Sequence, residues 1–286
     1  MKLSSLFRKG KTVLSFEVFP PKKTSPVETI YSTLSELKEL SPDFISVTYG
    51  AGGNAADTTT CDIAAYIKNE LKIPSCAHLT CVYSTAESVL ARLEQLRERG
   101  VENILALRGD VNPEIPRLHE FEYASDLTKF IKENGDFHVS GACYPEGHLE
   151  AGTIANDINN LKIKIEAGAE HLMSQLFFDN ASFHRFREML EIAGITVPVE
   201  AGIMPVTNKK QIERMVSMCG ASLPPKFAKM MQRYENNPEA LRDAGIAYAV
   251  DQIVDLISNG VDGIHLYTMN NPYVARKISE SVRSLL

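Results

Sequence analysis

Eight short runs rich in β-branched and aromatic residues alternate with longer runs whose apolar residues fall at helical spacing. No other feature of this chain narrows its folding options as far. The first strand is expected over Val13 to Phe19, closed by Pro20 and Pro21, which cannot donate into a sheet ladder. A helix follows near Val27 to Leu40, with Ile30, Leu34, Leu37 and Leu40 forming one apolar stripe. Strands are then expected over Phe44 to Tyr49, Ser75 to Val82, Asn103 to Leu107, Phe137 to Tyr144, His171 to Phe177, Val197 to Met204 and Gly263 to Tyr267. The intervening helices are expected over Asp57 to Leu71, Ala86 to Arg99, Ser125 to Asn134, Ile154 to Ala167 and Ala181 to Ala193, with a last one from Pro272 to the C-terminus. Such alternation argues for an all-parallel sheet, and eight units argue for closure into a barrel. The 286 residues match the roughly 250 typical of that fold. Extra material from Asn208 to Asn259 reads as two or three helices between strands seven and eight, with Leu223-Pro224-Pro225 as a break. With no low-complexity or Pro/Ser-rich linker, residues 1–286 are expected to form one domain, a (β/α)8 TIM barrel.

Composition excludes several classes. A chain that is 44% hydrophobic and 23% charged is too apolar for disorder. A net charge of −6 offers no global attraction for nucleic acid or an anionic membrane. The five cysteines form no Cys-x-x-Cys pair and are odd in number, as expected of a reduced, cytoplasmic protein. The first residues lack an apolar core of signal-peptide length, and no run approaches the 18 apolar residues of a membrane span.

Active sites of this fold sit at the C-terminal ends of the strands. Those ends are polar here: Glu17-Val18-Phe19-Pro20, Thr48-Tyr49-Gly50, His78-Leu79-Thr80, Arg108-Gly109-Asp110, Tyr144-Pro145-Glu146, Gln175-Leu176-Phe177 and Tyr267-Thr268. Glu17 interrupts an apolar strand. Burial raises a carboxyl pKa, which makes Glu17 a candidate acid, with a structural ion pair as the alternative. Arg108-Gly109-Asp110 is either a ligand-contacting turn or a plain strand-to-loop turn. His78, His148 and His265 match no metal-binding spacing, so no metal is expected. Asp157, Asn160 and Lys164 share one helix face, which either holds a ribose or phosphate or is merely solvated. Gly50-Ala51-Gly52-Gly53 is neither a dinucleotide fingerprint nor a Walker loop.

Taken together the strand ends are far more specific. Phe16-Glu17-Val18-Phe19-Pro20-Pro21, Val47-Thr48-Tyr49-Gly50-Ala51-Gly52-Gly53, His78-Leu79-Thr80-Cys81, Ala106-Leu107-Arg108-Gly109-Asp110, Tyr123-Ala124-Ser125-Asp126-Leu127, Tyr144-Pro145-Glu146, Gln175-Leu176-Phe177-Phe178-Asp179 and Gly202-Ile203-Met204-Pro205 occur in order. In this the chain resembles the bacterial methylenetetrahydrofolate reductase family from about Leu14 to the last helix. The resemblance implies non-covalent FAD, reduction of the flavin by NADH or NADPH, and ping-pong transfer of the hydride to 5,10-methylenetetrahydrofolate, giving 5-methyltetrahydrofolate for methionine synthesis. It implies that Glu17 is the general acid and that Asp110 tunes the flavin and holds the pterin. Gln175 and Tyr267 would contact substrate. Thr48, Tyr49, Ala51, His78, Arg108, Gly109, Asp110, Tyr123, Ala124, Ala142, Tyr144, His148, Asp157, Asn160 and Lys164 fall at flavin-contact positions. It carries the further expectations of a homo-oligomer and of no regulatory domain.

Three residues depart from the family's pattern. Lys209 replaces a phenylalanine that packs on the nicotinamide cofactor, leaving the preferred donor open. Ile163 replaces an arginine before the cofactor lysine, and Asn271 replaces one near the folate tail. The rivals are another barrel enzyme, such as a phosphate-binding aldolase or a pterin-dependent methyltransferase, and a flavoprotein scaffold that takes electrons from a partner protein.

Overall fold

The computed structural model describes residues 1–21, 28–49, 58–208, 213, 216 and 219–286. Ala51, the rest of the Gly50–Gly53 loop and Lys209 lie outside the described residues. Eight parallel strands close a barrel in chain order: β1 (Val13–Val18), β2 (Phe44–Val47), β3 (Ser75–Thr80), β4 (Asn103–Leu107), β5 (His138–Cys143), β6 (His171–Ser174), β7 (Val199–Ile203) and β8 (Gly263–Tyr267). Helices α1 (Glu28–Lys38), α2 (Thr59–Asn69), α3 (Ala86–Glu98), α4 (Ala124–Asn134), α5 (Ile154–Glu166) and α6 (Asn180–Ile192) follow the first six strands. Between β7 and β8 lie α7 (Pro225–Tyr234) and α8 (Pro238–Ser258), and α9 (Pro272–Val282) follows β8. The expected (β/α)8 architecture is therefore present, with its extra helices where the sequence puts them. Pro225 opens α7 at the first helical position, where a missing N–H costs nothing.

Several strands end earlier than their apolar runs suggest, because side-chain contacts take over the ladder. The carbonyl of Thr48 accepts from Thr60 Oγ1 of α2 at 3.0 Å, so β2 stops at Val47. Gln175 N still donates to Cys143 O at 2.7 Å, but Gln175 Oε1 then accepts from Leu176 N at 2.9 Å, and β6 stops at Ser174. The candidate site residues Thr48, Tyr49 and Gln175 thus stand on the first loop residues above the barrel.

Strand alternation divides the buried residues into two sets. Outward residues such as Leu14, Phe16 and Val18 pack with Ile30, Leu34 and Leu37 in one cluster that wraps the barrel. Inward residues Val13, Phe44, Cys76, Leu105 and Met173 join Leu3 in a plug at the N-terminal end. Leu3 sits in a short 3-10 turn whose N–H donates to Asn103 Oδ1 at 3.0 Å, and Asn103 Nδ2 donates to Ser75 O at 3.0 Å. That end is closed, so a ligand enters from the other.

A third cluster, Leu176, Phe178, Met204, Val206, Phe227, Met231 and Leu241, seats the extra helices beside that mouth. Here α8 crosses so close to the loop after β7 that a Cβ on Gly245 would lie 1.9 Å from Val206 O. Alanine normally favours a helix interior by about 1 kcal/mol over glycine. Gly245→Ala is expected to do the opposite and lower the thermal midpoint by at least about 2–4 °C, the shift that 1 kcal/mol produces in a domain of comparable size. A differential scanning measurement checks this; an unchanged or raised midpoint would mean that α8 does not rest on Val206.

Candidate functional site

A cavity of about 730 Å³ opens at the C-terminal mouth. Its wall includes Glu17, Thr48, Tyr49, His78, Arg108, Gly109, Asp110, Ala142, Tyr144, His148, Gln175 and Tyr267 from the expected set, together with apolar Leu105, Leu107, Met173, Leu176 and Met204. The wall does not include Tyr123, Ala124, Asp157, Asn160 or Lys164.

Glu17 forms part of the floor, and its side chain is 13% exposed. Oε2 lies 3.7 Å from His78 Nε2 on one side and 3.5 Å from His265 Nε2 on the other. No lysine or arginine is paired with it among the described residues, so a permanent ion pair is not what holds it there. His78 and His265 are both buried, whereas His148 stands apart at the rim. Among the described residues no three His, Cys, Asp or Glu side chains are placed to hold a metal ion. The backbone beneath Glu17 is fastened across the barrel seam: Thr268 Oγ1 donates to Glu17 O at 2.7 Å. Asn270 Nδ2 donates to Phe19 O at 2.8 Å and its Oδ1 accepts from Phe19 N at 3.0 Å.

On the β8 side of Glu17 the ends of β6, β7 and β8 are tied together. Tyr267 OH donates to Ser174 O at 2.8 Å, and Gly202 N donates to Ser174 Oγ at 2.9 Å. A Cβ on residue 202 would lie 2.3 Å from that carbonyl and 2.8 Å from the phenol oxygen, so only glycine lets Tyr267 reach it. Burial pushes the Tyr267 phenol well above its ordinary pKa, so it remains a neutral donor.

The rim carries charge. Arg108 grips the Glu150 carboxylate with both terminal nitrogens, Nη2 to Oε1 at 2.8 Å, which raises the guanidinium pKa further. Glu150 lies in the turn headed by His148, whose Nδ1 accepts from Glu150 N at 3.1 Å. The His148 ring meets Tyr144 edge-on, with centroids 4.6 Å apart. Asp110 is exposed at the mouth.

The α5 trio is split up, contrary to its shared face in the sequence. Asp157 is buried and accepts from His148 N at 3.1 Å, so it supports the rim from behind. Lys164 turns in against β5 and donates to Ala142 O at 2.6 Å. Burial lowers its pKa. Only Asn160 is a solvated face residue. Tyr123 is exposed and precedes α4, where its N–H donates to Asp126 Oδ2 at 2.9 Å. Asn271 caps α9 by accepting from Val274 N at 3.3 Å, and Ile163 is exposed. Sequence reasoning missed Ser15, Ser174, Gly202, Glu200 and Asn270. Of these only Glu200, a charge within an apolar strand, carried the same kind of signal as Glu17.

Residues 2–283 match the protein family described as methylenetetrahydrofolate reductase. A 5,10-methylenetetrahydrofolate reductase of Pectobacterium carotovorum subsp. carotovorum is 37% identical over 273 residues, spanning 96% of this chain and 91% of that protein. That of Escherichia coli (strain K12) is 35% identical over the same shares. An Arabidopsis thaliana protein named methylenetetrahydrofolate reductase (NADH) 1 is 34% identical across 94% of this chain and 48% of its own length. Among solved structures, an uncharacterized Clostridium thermocellum protein described as binding two copies of 5-methyl-5,6,7,8-tetrahydrofolic acid superposes with a TM-score of 0.69. It covers 99% of this chain and 98% of its own at 13% identity, a likeness of fold.

Burial pushes the pKa of His78 down to about 4, against a partly offsetting pull from Glu17. A group depressed in the folded state stabilises fully above its unfolded pKa of about 6.5 and loses that contribution as pH falls toward its folded value. Stability to urea is therefore expected to fall between pH 6.5 and 4, and His78→Asn is expected to flatten part of that slope. Parallel wild-type and variant curves across this window would show that His78 titrates normally.

Proposed function

Because this chain belongs to the methylenetetrahydrofolate reductase family, we propose that it reduces 5,10-methylenetetrahydrofolate to 5-methyltetrahydrofolate, with non-covalent FAD and with NADH or NADPH as the electron donor. The observation that carries this is Glu17, a carboxyl set in the floor of the cavity at the barrel mouth, between two imidazoles and with no lysine or arginine paired with it among the described residues. The folate named for the Clostridium thermocellum neighbour and the NADH in the plant relative's name support the substrate and donor classes. Residues 1–286 act as one barrel domain in this scheme.

The cavity suits a flavin. Leu105, Leu107 and Met173 offer an apolar surface for a ring system, and Tyr49, Tyr144 and His78 add aromatic surface with polar edges. Arg108 and His148 stand at the rim, where a pyrophosphate would sit, and Glu150 must release Arg108 for such a contact. Thr48, Gly109 and Ala142 would complete the cradle, while Asp157, Lys164 and Tyr123 would act by shaping it. A bound flavin supplies hydride acceptance from the nicotinamide and delivery to the folate, one substrate replacing the other in ping-pong fashion.

The residues handle binding and protons. Glu17 donates its proton to N10 of the folate, so the five-membered ring opens to a cationic iminium at N5, which accepts the hydride and becomes the methyl group. Tyr267 stands beside Glu17 on the neighbouring strand, Gln175 lines the same cavity, and together they hold the pterin in reach. Their backbone ties at Ser174 and Cys143 keep that placement fixed. Asp110 contacts the pterin and lends negative charge near the flavin.

The protein is expected to purify yellow or to bind added FAD with a visible flavin spectrum; a colourless protein that takes up no FAD would refute the assignment. Glu17→Gln is expected to slow the folate half-reaction by about 10²–10⁴-fold, the usual worth of a positioned acid, while flavin reduction by NADH is spared. Equal losses in both half-reactions would make Glu17 structural. Asp110→Asn is expected to raise the flavin potential and weaken folate turnover. Because Asp110 is exposed, the electrostatic gain should not exceed about 1 kcal/mol, the interaction of two unit charges 4 Å apart in water. Redox titration against a reference dye decides, an unchanged potential meaning that Asp110 does not sense the flavin.

A further inference from the structure

The interior of this barrel is polar where bulky branched aliphatic residues usually dominate. Below Glu17, inward positions carry Ser15, His265, Glu200, His171, Ser140 and His138, all buried. They form one file. His265 Nε2 is 3.5 Å from Glu17, and His265 Nδ1 is 2.6 Å from Ser15 Oγ. Ser15 Oγ donates to Glu200 Oε1 at 2.8 Å, and Glu200 Oε2 is 3.0 Å from His171 Nε2. His171 Nδ1 is 2.9 Å from Ser140 Oγ, which is 3.4 Å from His138 Nε2. His138 Nδ1 is 3.5 Å from Glu170 Oε2, and the Glu170 side chain, 35% exposed, reaches the surface beside Lys132 at the closed end of the barrel.

Every imidazole in the file meets a different neighbour with each nitrogen, and Glu200 meets one with each oxygen. Several of these atoms, His138 Nδ1, His171 Nε2, Glu200 Oε2 and His265 Nε2, have a neighbour in reach but no well-aligned hydrogen bond. Buried polar atoms are seldom left so, which points to a function rather than to packing. Glu200 has no lysine or arginine partner among the described residues; Cys76 is the further titratable side chain facing it.

We propose that this file is a proton conductor that recharges Glu17 from solvent at the end of the barrel away from the substrates. It rests on the function proposed above, in which Glu17 loses one proton to the folate per turnover while ligands cover the mouth. One proton enters at Glu170 from water or a buffer acid, and one arrives on the Glu17 carboxylate. In the step Glu200 is the neutral acid and passes its proton from Oε1 to Ser15, whose hydroxyl has turned from Glu200 to His265 Nδ1; each group between thus accepts a proton on one atom and releases one from another, so none gains net charge and no electrons are exchanged. Rings and hydroxyls then rotate back. Burial pushes the His138 pKa down to about 4, so this ring passes a proton on without holding a charge between transfers.

Ser140→Ala and Glu200→Gln each break the file without touching the cavity wall. In stopped flow, pre-reduced enzyme mixed with folate is expected to complete its first turnover at the wild-type rate, because the first proton that the proposed function assigns to Glu17 does not have to pass along the file. Steady-state turnover is expected to fall at least tenfold, to gain a solvent deuterium isotope effect, and to recover partly on addition of imidazolium or formic acid. A pH-indicator dye should show proton uptake lagging behind product in the variants and keeping pace in wild type. Loss of the first turnover together with steady state would make these residues structural. No change in either would mean that Glu17 is recharged through the mouth. Should Glu200→Gln fail to fold, Ser140→Ala, a smaller change in the same file, still decides. Failure of wild type to reduce folate at all would instead overturn the proposed function.

Discussion

The seam between β1 and β8 is the constraint on which the rest of the molecule depends. It closes the barrel, and its register places Ser15 opposite His265 and Glu17 opposite Tyr267. Inward side chains on neighbouring parallel strands stand side by side, so this one pairing sets the hydroxyl against the ring and the carboxyl against the cavity floor. Thr268 and Asn270, just past β8, then catch the carbonyls of Glu17 and Phe19. A slip of one residue would turn Glu17 into the sleeve of Leu14, Phe16 and Val18 and bring apolar side chains inside. The seam therefore specifies the site and the core together.

Stability and chemistry are kept in different shells. The apolar cluster between strands and helices, and the plug around Leu3, Phe44 and Met173, supply the hydrophobic driving force. The inner shell above the plug works against it. A buried polar group left without a partner costs about 1–3 kcal/mol, and His78 Nε2, Ser46 Oγ and Glu200 Oε2 are among several here. Phe44 is the hinge between the two regimes. Its ring stacks on His265 at 6.3 Å and meets His171 edge-on at 6.4 Å, holding both imidazoles from the apolar side.

The fold was legible because a barrel strand buried on both faces shows as a short apolar run, and a charge inside such a run stands out. Glu17 was found in that way. Glu200 carries the same signal in Val199-Glu200-Ala201-Gly202, yet no strand-end motif draws attention to a residue below the site. Ser15 and Ser174 were not legible at all, since a serine in a strand has no pattern of its own; only the register shows what its hydroxyl meets. Asp157 and Lys164 mislead for another reason. Spacing puts them on one helix face, but spacing says nothing of the groups beyond the helix, and the His148 amide and the Ala142 carbonyl claim them first. Strand ends were overestimated at Tyr49 and Phe177 because side chains take the ladder groups there, the Thr60 hydroxyl at Thr48 O and the Gln175 amide oxygen at Leu176 N.

The identity of the neighbours separates an acid from an ion pair at Glu17. A lysine or arginine at 3.5 Å would keep the carboxylate ionised across the physiological range. Histidines do not impose that. His78 is driven toward its neutral form by burial, and the mutual repulsion of His78 and His265 opposes charging it further. A neutral imidazole accepts a hydrogen bond from a protonated carboxyl as readily as it donates one to a carboxylate. The two imidazoles can thus meet Glu17 as donors or as acceptors, which the proton donation proposed for it requires. Glu200 meets the same kind of partners one layer deeper, where no ligand reaches. Two carboxyls thus share one design at two depths, the upper one open to the cavity and the lower one sealed from it.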